Sequence, residues 1–211
     1  MSTAETIAKL LLDKQAVKIS TNPPFTWTSG IKSPIYCDNR LLISYPDARS
    51  VVLAGFKALI EKEKLEFDVI GGTSTAAIPW AAFLAHELNL PMVYIRPKPK
   101  DHGAGRQVEG TMAQGSRVII IEDLISTGGS SVGSAAACIR EFDATIVGVA
   151  AIFSYELAKG KAAFLEAGLK AFALSNFPTL VSLLDVPASE KEQILAFTAD
   201  PATWWGRVEG K

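Results

Sequence analysis

Two adjacent carboxylates, Glu122 and Asp123, stand between an apolar run and a glycine-bearing loop. The run, residues 118–121, reads Val-Ile-Ile-Ile, which is typical of a strand buried on both faces of a parallel sheet. The loop, residues 126–130, reads Ser-Thr-Gly-Gly-Ser and opens into an alanine-rich stretch that predicts a helix. Backbone N–H groups converge where a strand, a glycine loop and a helix N-terminus meet, and the helix dipole favours an anion there. The loop is therefore predicted to bind a phosphate group.

The acidic pair indicates what else the ligand carries. Two anions would weaken a site for phosphate alone, whereas carboxylates accept strong hydrogen bonds from sugar hydroxyls. A phosphate on one side and a vicinal diol on the other describe ribose 5-phosphate. The alternative is that Glu122 and Asp123 are solvated residues at a strand end and that Gly128 and Gly129 form an ordinary turn. Their position directly between a buried strand and a helix start favours the ligand site.

This segment resembles the motif by which type I phosphoribosyltransferases bind 5-phosphoribosyl 1-diphosphate (PRPP). That motif consists of an apolar run, two acidic residues and a Thr-Gly loop, and it does not identify the acceptor base. The resemblance implies that Glu122 and Asp123 hold the ribose hydroxyls and that residues 126–130 hold the 5′-phosphate.

A second segment, residues 25–40, sets aromatic and charged side chains among Ser-Gly and Ser-Pro turns, a composition common in ligand-binding loops. On composition alone, a hood that packs its own aromatic residues is equally consistent. The segment is similar to the N-terminal hood of orotate phosphoribosyltransferases, F-T-x-x-S-G-x-x-S-P followed by an aromatic residue. The matching residues are Phe25, Thr26, Ser29, Gly30, Ser33, Pro34 and Tyr36.

Residues 96–110 change sharply in composition, because basic residues, prolines and glycines replace apolar anchors. Such a stretch predicts either a solvated linker or a mobile lid that closes over polyphosphate. The same family has its catalytic loop here, of the form R-x-x-x-K-x-H-G. Arg96, Lys100, His102 and Gly103 match it. Residues 71–79 fall where the family has its pyrophosphate loop, which ends in the same Ile-Pro.

The resemblance extends from Phe25 to about Tyr155 and implies transfer of ribose 5-phosphate from PRPP to N1 of orotate. The products would be orotidine 5′-monophosphate and diphosphate, in pyrimidine nucleotide synthesis. It also implies Mg²⁺ as cofactor, held mainly by PRPP and water with no protein metal ligands, and a homodimer whose lid is shared across subunits. The predicted catalytic residues are Lys100 and His102, at the leaving diphosphate.

The predicted ligand contacts form two sets. The orotate contacts are Ser126, Tyr36 and Lys32. The PRPP contacts are Arg96, Lys100, His102, Glu122, Asp123, Leu124, Ile125, Ser126, Thr127, Gly128, Gly129 and Ser130.

Some members of the family carry cations at four places where this chain has none. The lid, or Lys32 and Lys98, must then supply more of the positive charge, and the binding of the orotate carboxylate is left open. Those members have lysine where this chain has Thr28, Tyr-Lys where it has Thr75-Ala76, lysine where it has Pro97, and an arginine that reaches orotate where it has Tyr155.

Composition narrows the class of protein. The chain has 211 residues, of which 48% are hydrophobic, and a net charge of −1, which fits one domain, 1–211, with residues 1–40 contributing the hood. It has neither the basic excess of a nucleic-acid-binding protein nor an apolar run long enough for a membrane span. Cys37 and Cys138 are far apart, which fits reduced thiols in a cytoplasmic protein.

Strands and helices alternate through the middle of the chain, which predicts an α/β fold with a doubly wound, mainly parallel sheet. Ligands of such sheets bind at the carboxyl ends of the strands, where the three loops would converge. The predicted strands are 67–70, 91–96, 118–121, 145–153 and 170–174, and the predicted helices are 3–16, 46–64, 79–89, 157–167 and one or two within 177–198.

Two other functions fit parts of the pattern. A regulator that senses PRPP would carry an added DNA-binding domain, but about 24 residues precede the hood and the chain has no basic surface. A phosphoribosyltransferase for another base would not be expected to have this hood. The lysine and histidine of the lid favour catalysis over sensing.

Overall fold

The computed structural model describes residues 1–27, 30–99 and 105–210. Their strands are β1 (Val17–Ile19), β2 (Phe25–Thr26), β3 (Lys32–Ser33), β4 (Ile35–Cys37), β5 (Val69–Thr73), β6 (Met92–Ile95), β7 (Val108–Glu109), β8 (Arg117–Ile125), β9 (Thr145–Ser154) and β10 (Ala171–Asn176). Their α-helices are α1 (Thr3–Asp13), α2 (Pro46–Lys62), α3 (Ile78–Leu88), α4 (Gly129–Phe142), α5 (Ala158–Glu166), α6 (Phe177–Ser182), α7 (Ala188–Leu195) and α8 (Trp204–Glu209). Two 3-10 helices cover Asn39–Ser44 and Ala196–Thr198.

A six-stranded sheet in the order β10-β9-β8-β5-β6-β7 is the frame of the fold. All neighbouring strands run parallel except β6 and β7. The central strand β8 is buried on both faces, since Ile119 and Ile121 join one core with α1, α2 and α3, whereas Val118 and Ile120 join a second core with α4 and α5. The prediction of a doubly wound, mainly parallel sheet is confirmed.

The strand order reverses between β5 and β8. From β5 the chain passes through α3 to β6 on one side, and β8 later pairs with the other side of β5. The pairing of β5 with β8 ends at Gly72 and Ile121. Beyond that pair the two strand ends are no longer hydrogen-bonded to each other, and a reversal of this kind opens a crevice that doubly wound folds use for ligands.

The N-terminal hood consists of two small antiparallel pairs, β1 with β4 and β2 with β3. It is fixed to the central strand by Asn39, whose Nδ2 donates to the Asp123 carbonyl at 2.6 Å. Trp27 stacks on Tyr155 with ring centroids 5.1 Å apart. The hood is thus held against the carboxyl end of β8.

Side-chain contacts fix both the first helix and the C-terminal segment of the chain. Helix α1 begins with a capping box, in which Glu5 N donates to Ser2 Oγ and Ser2 N donates to the Glu5 carboxylate. Trp204 is 1% exposed and contacts Phe197 edge-on, so this residue packs the C-terminal segment onto the core. Within the described ranges, none of the helices combines the length and apolarity needed to cross a bilayer.

The segment predicted to lack structure, residues 96–110, differs from expectation at its end. Val108 is 2% exposed, and β7 pairs antiparallel with β6. The Glu141 carboxylate accepts hydrogen bonds from the backbone N–H groups of Gln107 and Val108, and Gln107 Nε2 donates to the Arg96 carbonyl at 2.7 Å. Burial of Val108 and the hydrogen bonds to Glu141 therefore order the end of this segment, and Gln107 links it to Arg96.

Candidate active site

The acidic pair lies within strand β8 rather than after it. The sequence placed the end of this strand near Ile121, but β8 continues to Ile125 because β9 continues beside it, pairing Phe153 with Leu124 and Ser154 with Ile125. Successive side chains of a strand point to opposite faces. Glu122 therefore shares the face of Ile120, toward α4, and Asp123 shares the face of Ile121, toward the hood.

Glu122 is bound into the first turn of α4. Its Oε2 accepts hydrogen bonds from Ser130 Oγ and Ser131 Oγ, each at 3.0 Å, and the residue is only 4% exposed. Burial, and then the charge of Asp123, raise the pKa of this carboxyl to about 7. Glu122 therefore couples the end of the central strand to the start of the helix, and its protonation state changes near neutral pH.

Asp123 has a different environment. It is half-buried, and burial is the main reason that its pKa is raised above the usual range. The nearby Arg40 guanidinium acts in the opposite direction and favours the carboxylate. Asp123 is thus the more accessible acid of the pair, on the hood side of the strand.

The loop at residues 126–130 connects β8 to α4 as the sequence predicted. Gly128 has φ of 77°, a left-handed conformation that glycine adopts without steric cost, and it is the N-cap of α4. A Cβ atom on Gly160 would lie 2.5 Å from the Ser126 carbonyl oxygen. Helix α5 therefore packs directly on the loop and fixes its backbone through a contact that only glycine permits.

Two cavities meet at the carboxyl end of β8. The larger, of about 850 Å³, lies between the hood, the loop and α5, and the smaller, of about 330 Å³, occupies the crevice between β5 and β8. Cys37 and Leu124 line both cavities and so form the ridge between them. Asp123 and Glu122 line the crevice. The site can accommodate a ligand with two differently shaped ends on either side of this ridge.

The two cavities differ in chemistry. Hydroxyl-bearing and acidic residues dominate the crevice, where Thr73 and Ser74 join the acidic pair, and Arg40 is the one cation among its described lining residues. Aromatic and aliphatic side chains dominate the larger cavity, including Trp27, Tyr36 and Tyr155. A polar, hydrated group fits the first and a planar ring fits the second.

Comparisons with known proteins identify the family. The phosphoribosyl transferase domain model matches residues 51–166. An orotate phosphoribosyltransferase of Streptococcus thermophilus is 47% identical over 208 residues, which cover 97% of this chain and 99% of that protein. The chain belongs to the orotate phosphoribosyltransferase family. The resemblance found in the sequence is confirmed, and with it the pentosyltransferase class of enzyme.

Solved structures of this family have the same fold. The orotate phosphoribosyltransferase of Aeropyrum pernix superimposes with a TM-score of 0.74 at 27% identity, covering 83% of this chain and 96% of that one. The UMP synthase of Leishmania donovani superimposes with a TM-score of 0.77 at 28% identity, covering 92% of this chain and 42% of that longer one.

Most residues of the phosphoribosyltransferase motif come together at the ridge. Ser126 and Thr127 line the larger cavity, Leu124 lines both cavities, and Ser130 lines the crevice. Ile125 is 6% exposed and packs in the core with α4, so its side chain faces the core and not the cavities. Gly129 has open space around its Cβ position and begins α4.

The lid motif is described only in part. Lys100 and His102 lie outside the described residues. Arg96 follows β6 and is half-buried. Its Nη1 has no hydrogen-bond partner among the described residues, and Glu109 Oε1 lies 3.8 Å from it. Arg96 is not among the residues that line either cavity.

The predicted orotate contacts are placed unequally. Tyr36, which is 44% exposed, lines the larger cavity together with Ser126. Lys32 does not line it, but Lys32 Nζ donates to Thr26 Oγ1 at 2.7 Å, and Thr26 does. Tyr155 is 3% exposed, and burial raises its pKa, so the phenol is neutral where some family members carry an arginine.

Three features of the site were not predicted as ligand contacts from the sequence. Arg40 was seen only as one charge within the hood, although its neighbour Asp38 accepts from its Nε at 2.6 Å and from its Nη2 at 2.9 Å and holds it at the crevice. Lys159 carries no sequence signal of a ligand contact, because it is one of two exposed lysines on the same short helix. Residues 199–202 return to the larger cavity from the C-terminal part of the chain, a long-range contact that no local pattern encodes.

Proposed function

We propose that the protein transfers the ribose 5-phosphate group of PRPP to N1 of orotate, releasing diphosphate and forming orotidine 5′-monophosphate. The observation that carries this assignment is the pair of unlike cavities on either side of Leu124, with the acidic pair and the phosphate loop beside the ridge. Membership of the orotate phosphoribosyltransferase family supports the same substrates and a role in pyrimidine biosynthesis.

The proposed substrate positions follow the chemistry of the two cavities. The diphosphate lies in the hydroxyl-rich crevice, and orotate lies among the aromatic side chains of the larger cavity. The ribose bridges the ridge with its hydroxyls toward Asp123, and the backbone N–H groups of residues 126–130 hold the 5′-phosphate. This arrangement puts C1 of the ribose between the base and its leaving group.

The reaction breaks the bond from C1 to a diphosphate oxygen and forms a bond from C1 to N1 of orotate. Orotate is already anionic, so no strong protein base is needed, and neither Glu122 nor Asp123 acts as a nucleophile. As the leaving bond lengthens, positive charge grows at C1 and negative charge grows on diphosphate. Asp123 stabilises the ribose side through its hydroxyls, and cations of the lid and of Arg40 stabilise the leaving group.

The acids present fit a magnesium ion that is held mainly by its substrate. Among the described residues, no group of three or more His, Cys, Asp or Glu side chains could form a metal site. Glu122 is already engaged by Ser130 and Ser131, which leaves Asp123 as the accessible carboxylate. Mg²⁺ binds through phosphate oxygens, hydroxyls and water, and it would neutralise charge on the leaving diphosphate.

The test is a direct assay. Protein, Mg²⁺, PRPP and orotate are mixed, and loss of orotate absorbance is followed, with uracil and purine bases as alternative acceptors. We expect orotate to be the only one of these bases that is converted to a nucleotide. Tight PRPP binding without turnover of any base would favour a regulator, and turnover of a purine or of uracil in place of orotate would favour a different transferase.

Arg40 is proposed as a diphosphate contact that compensates for the missing lysine at Ala76, since both residues line the crevice. A guanidinium has five N–H donors, and its two bonds to Asp38 leave others for a ligand. Arg40→Ala is expected to raise KM for PRPP about 10-fold, the magnitude of one lost hydrogen bond to a charged group, while KM for orotate changes little. Arg40→Lys should recover part of the loss. An unchanged KM for PRPP in Arg40→Ala, with an unchanged melting temperature, would exclude this contact.

Three further properties are proposed from the family resemblance. Lys100, His102 and Arg96 form the cationic part of a lid, and that lid serves the neighbouring subunit of a homodimer. The chain forms one phosphoribosyltransferase domain, 1–211, to which residues 1–40 contribute the hood. A cytoplasmic location also stays a prediction.

A further inference from the structure

The larger cavity has a wall suited to a pyrimidine ring but few charges. Trp27, Ile31 and Tyr36 come from the hood, Tyr155 and Leu157 follow the end of β9, and Ser126 comes from the phosphate loop. Orotate carries a carboxylate that distinguishes it from uracil. A site selective for orotate therefore needs a positive group on this wall, because an unpaired carboxylate in an apolar pocket would be strongly disfavoured.

Among the described residues that line this cavity, Lys159 is the one cation. It stands in the first turn of α5, next to Gly160, whose close approach to the Ser126 carbonyl fixes the helix against the phosphate loop. Its side chain is exposed, and it makes no hydrogen bond or ion pair with any described residue. Its helix neighbour Lys161, by contrast, is paired with Glu156 at 2.8 Å. Lys159 thus offers an uncommitted ammonium group on a fixed backbone.

Asp200, the one acidic side chain among the described residues that line this cavity, does not compete for Lys159. Asp200 accepts a hydrogen bond from Thr203 Oγ1, which lowers its pKa, and its Oδ2 lies 3.7 Å from Arg207 Nη2. The negative charge of Asp200 is therefore balanced by Arg207 and by its hydrogen bond with Thr203. Tyr155 is buried and neutral, so it supplies no positive charge.

We infer that Lys159 binds the carboxylate of orotate and determines selectivity for this base, in the role left open by the absence of an arginine at position 155. The inference rests on the proposed function and extends it to one side chain. Lys159 acts on the bound base and not on the diphosphate, since it does not line the crevice. Its loss should therefore affect the base and leave PRPP binding intact.

The test compares Lys159→Met with the matched control Lys161→Met two residues later. For Lys159→Met we expect KM for orotate to rise about 10- to 100-fold, which corresponds to one charged hydrogen bond, with KM for PRPP within about twofold of the wild-type value by the same scale. Lys161→Met should match the wild type in both constants. Lys159→Arg should recover much of the loss, because it keeps the charge.

A binding experiment on the same proteins separates the base from the rest of the nucleotide. Orotidine 5′-monophosphate and uridine 5′-monophosphate differ only by the carboxylate, so calorimetry should show a wild-type preference for the former that Lys159→Met loses, with uridine 5′-monophosphate binding unchanged. If Lys159→Met keeps the preference, or if Lys32→Met alone removes it, the carboxylate is bound elsewhere and the inference is wrong. Failure of the proposed function would look different, because the wild-type protein itself would not turn over orotate.

Discussion

Lys100→Ala is expected to lower kcat by about 10²-fold or more, as the loss of a transition-state charge donor does in other enzymes. Lys100 matches the lysine of the catalytic loop and lies outside the described residues, so this prediction rests on the sequence and on the charge that the reaction creates. The leaving diphosphate gains negative charge only as its bond to C1 breaks, and an ammonium group near that oxygen therefore stabilises the transition state more than the bound substrate.

The measurement is steady-state kinetics with both substrates saturating, together with a thermal melt to verify folding. Arg106→Ala is a suitable control, because Arg106 is a cation of the same segment whose guanidinium lies over the Phe142 ring, 5.8 Å from its centroid. It should retain kcat within about twofold, since a surface cation–π contact is a small term. Near-normal turnover in Lys100→Ala would remove the proposed role.

A mixing experiment extends the same variant to the proposed dimer. If the lid of one subunit completes the site of its partner, a hybrid of a Lys100→Ala subunit with an Asp123→Asn subunit contains one intact site and one doubly defective site. Random reassembly of equal amounts should then restore about a quarter of wild-type activity, because half of the dimers are hybrids. Activity that stays at the level of the two parents would show that each lid serves its own subunit or that the subunits do not exchange.

The parts of the site that are local in sequence could be predicted, because their physical signals are local too. Four aliphatic residues in a row define a strand buried on both faces, and the glycine loop after Ile125 defines the turn from that strand into a helix. The strand was nevertheless expected to end too early. Polar residues usually mark a strand end, but here β9 extends beside β8 and keeps Glu122 and Asp123 in the sheet.

The parts that depend on long-range contacts could not be predicted. The two acids look equivalent in the sequence, yet the alternation of side chains sends one to Ser130 and Ser131 and the other toward Arg40. The contribution of residues 199–202 to the larger cavity depends on how the C-terminal helices return to the hood. The position of Lys159 depends on the contact of Gly160 with Ser126, which fixes α5 on the loop at residues 126–130.

Glu122→Gln is expected to stabilise the ligand-free protein above neutral pH while weakening PRPP binding. The folded pKa of Glu122 is about 7, above the ordinary value of 4.5, because the carboxyl is buried beside Asp123. A raised folded pKa means that the protonated acid favours the folded state. This contribution is fully present below pH 4.5 and is lost as the pH rises through 7.

Glutamine mimics the protonated acid at every pH, so the variant should not show this loss. Urea unfolding should give nearly equal free energies for variant and wild type at about pH 4, and a variant more stable by about 3 kcal/mol at about pH 8, the free energy that corresponds to raising a pKa from 4.5 to about 7. Titration of groups that do not contact Glu122 is common to both proteins and cancels in the difference.

The gain in stability should be accompanied by a loss of function. One oxygen of the carboxylate, Oε2, accepts from both Ser130 and Ser131 and so sets the first turn of α4, whereas glutamine offers these hydroxyls a neutral amide oxygen, which forms weaker hydrogen bonds than an ionised acceptor. We therefore expect KM for PRPP to rise about 10-fold or more in Glu122→Gln, the magnitude of a weakened hydrogen bond to a charged group. If the free energies of unfolding of variant and wild type change in parallel from acid to alkaline pH, Glu122 is ionised throughout this range. Its buried negative charge would then be stabilised by a partner other than these serines.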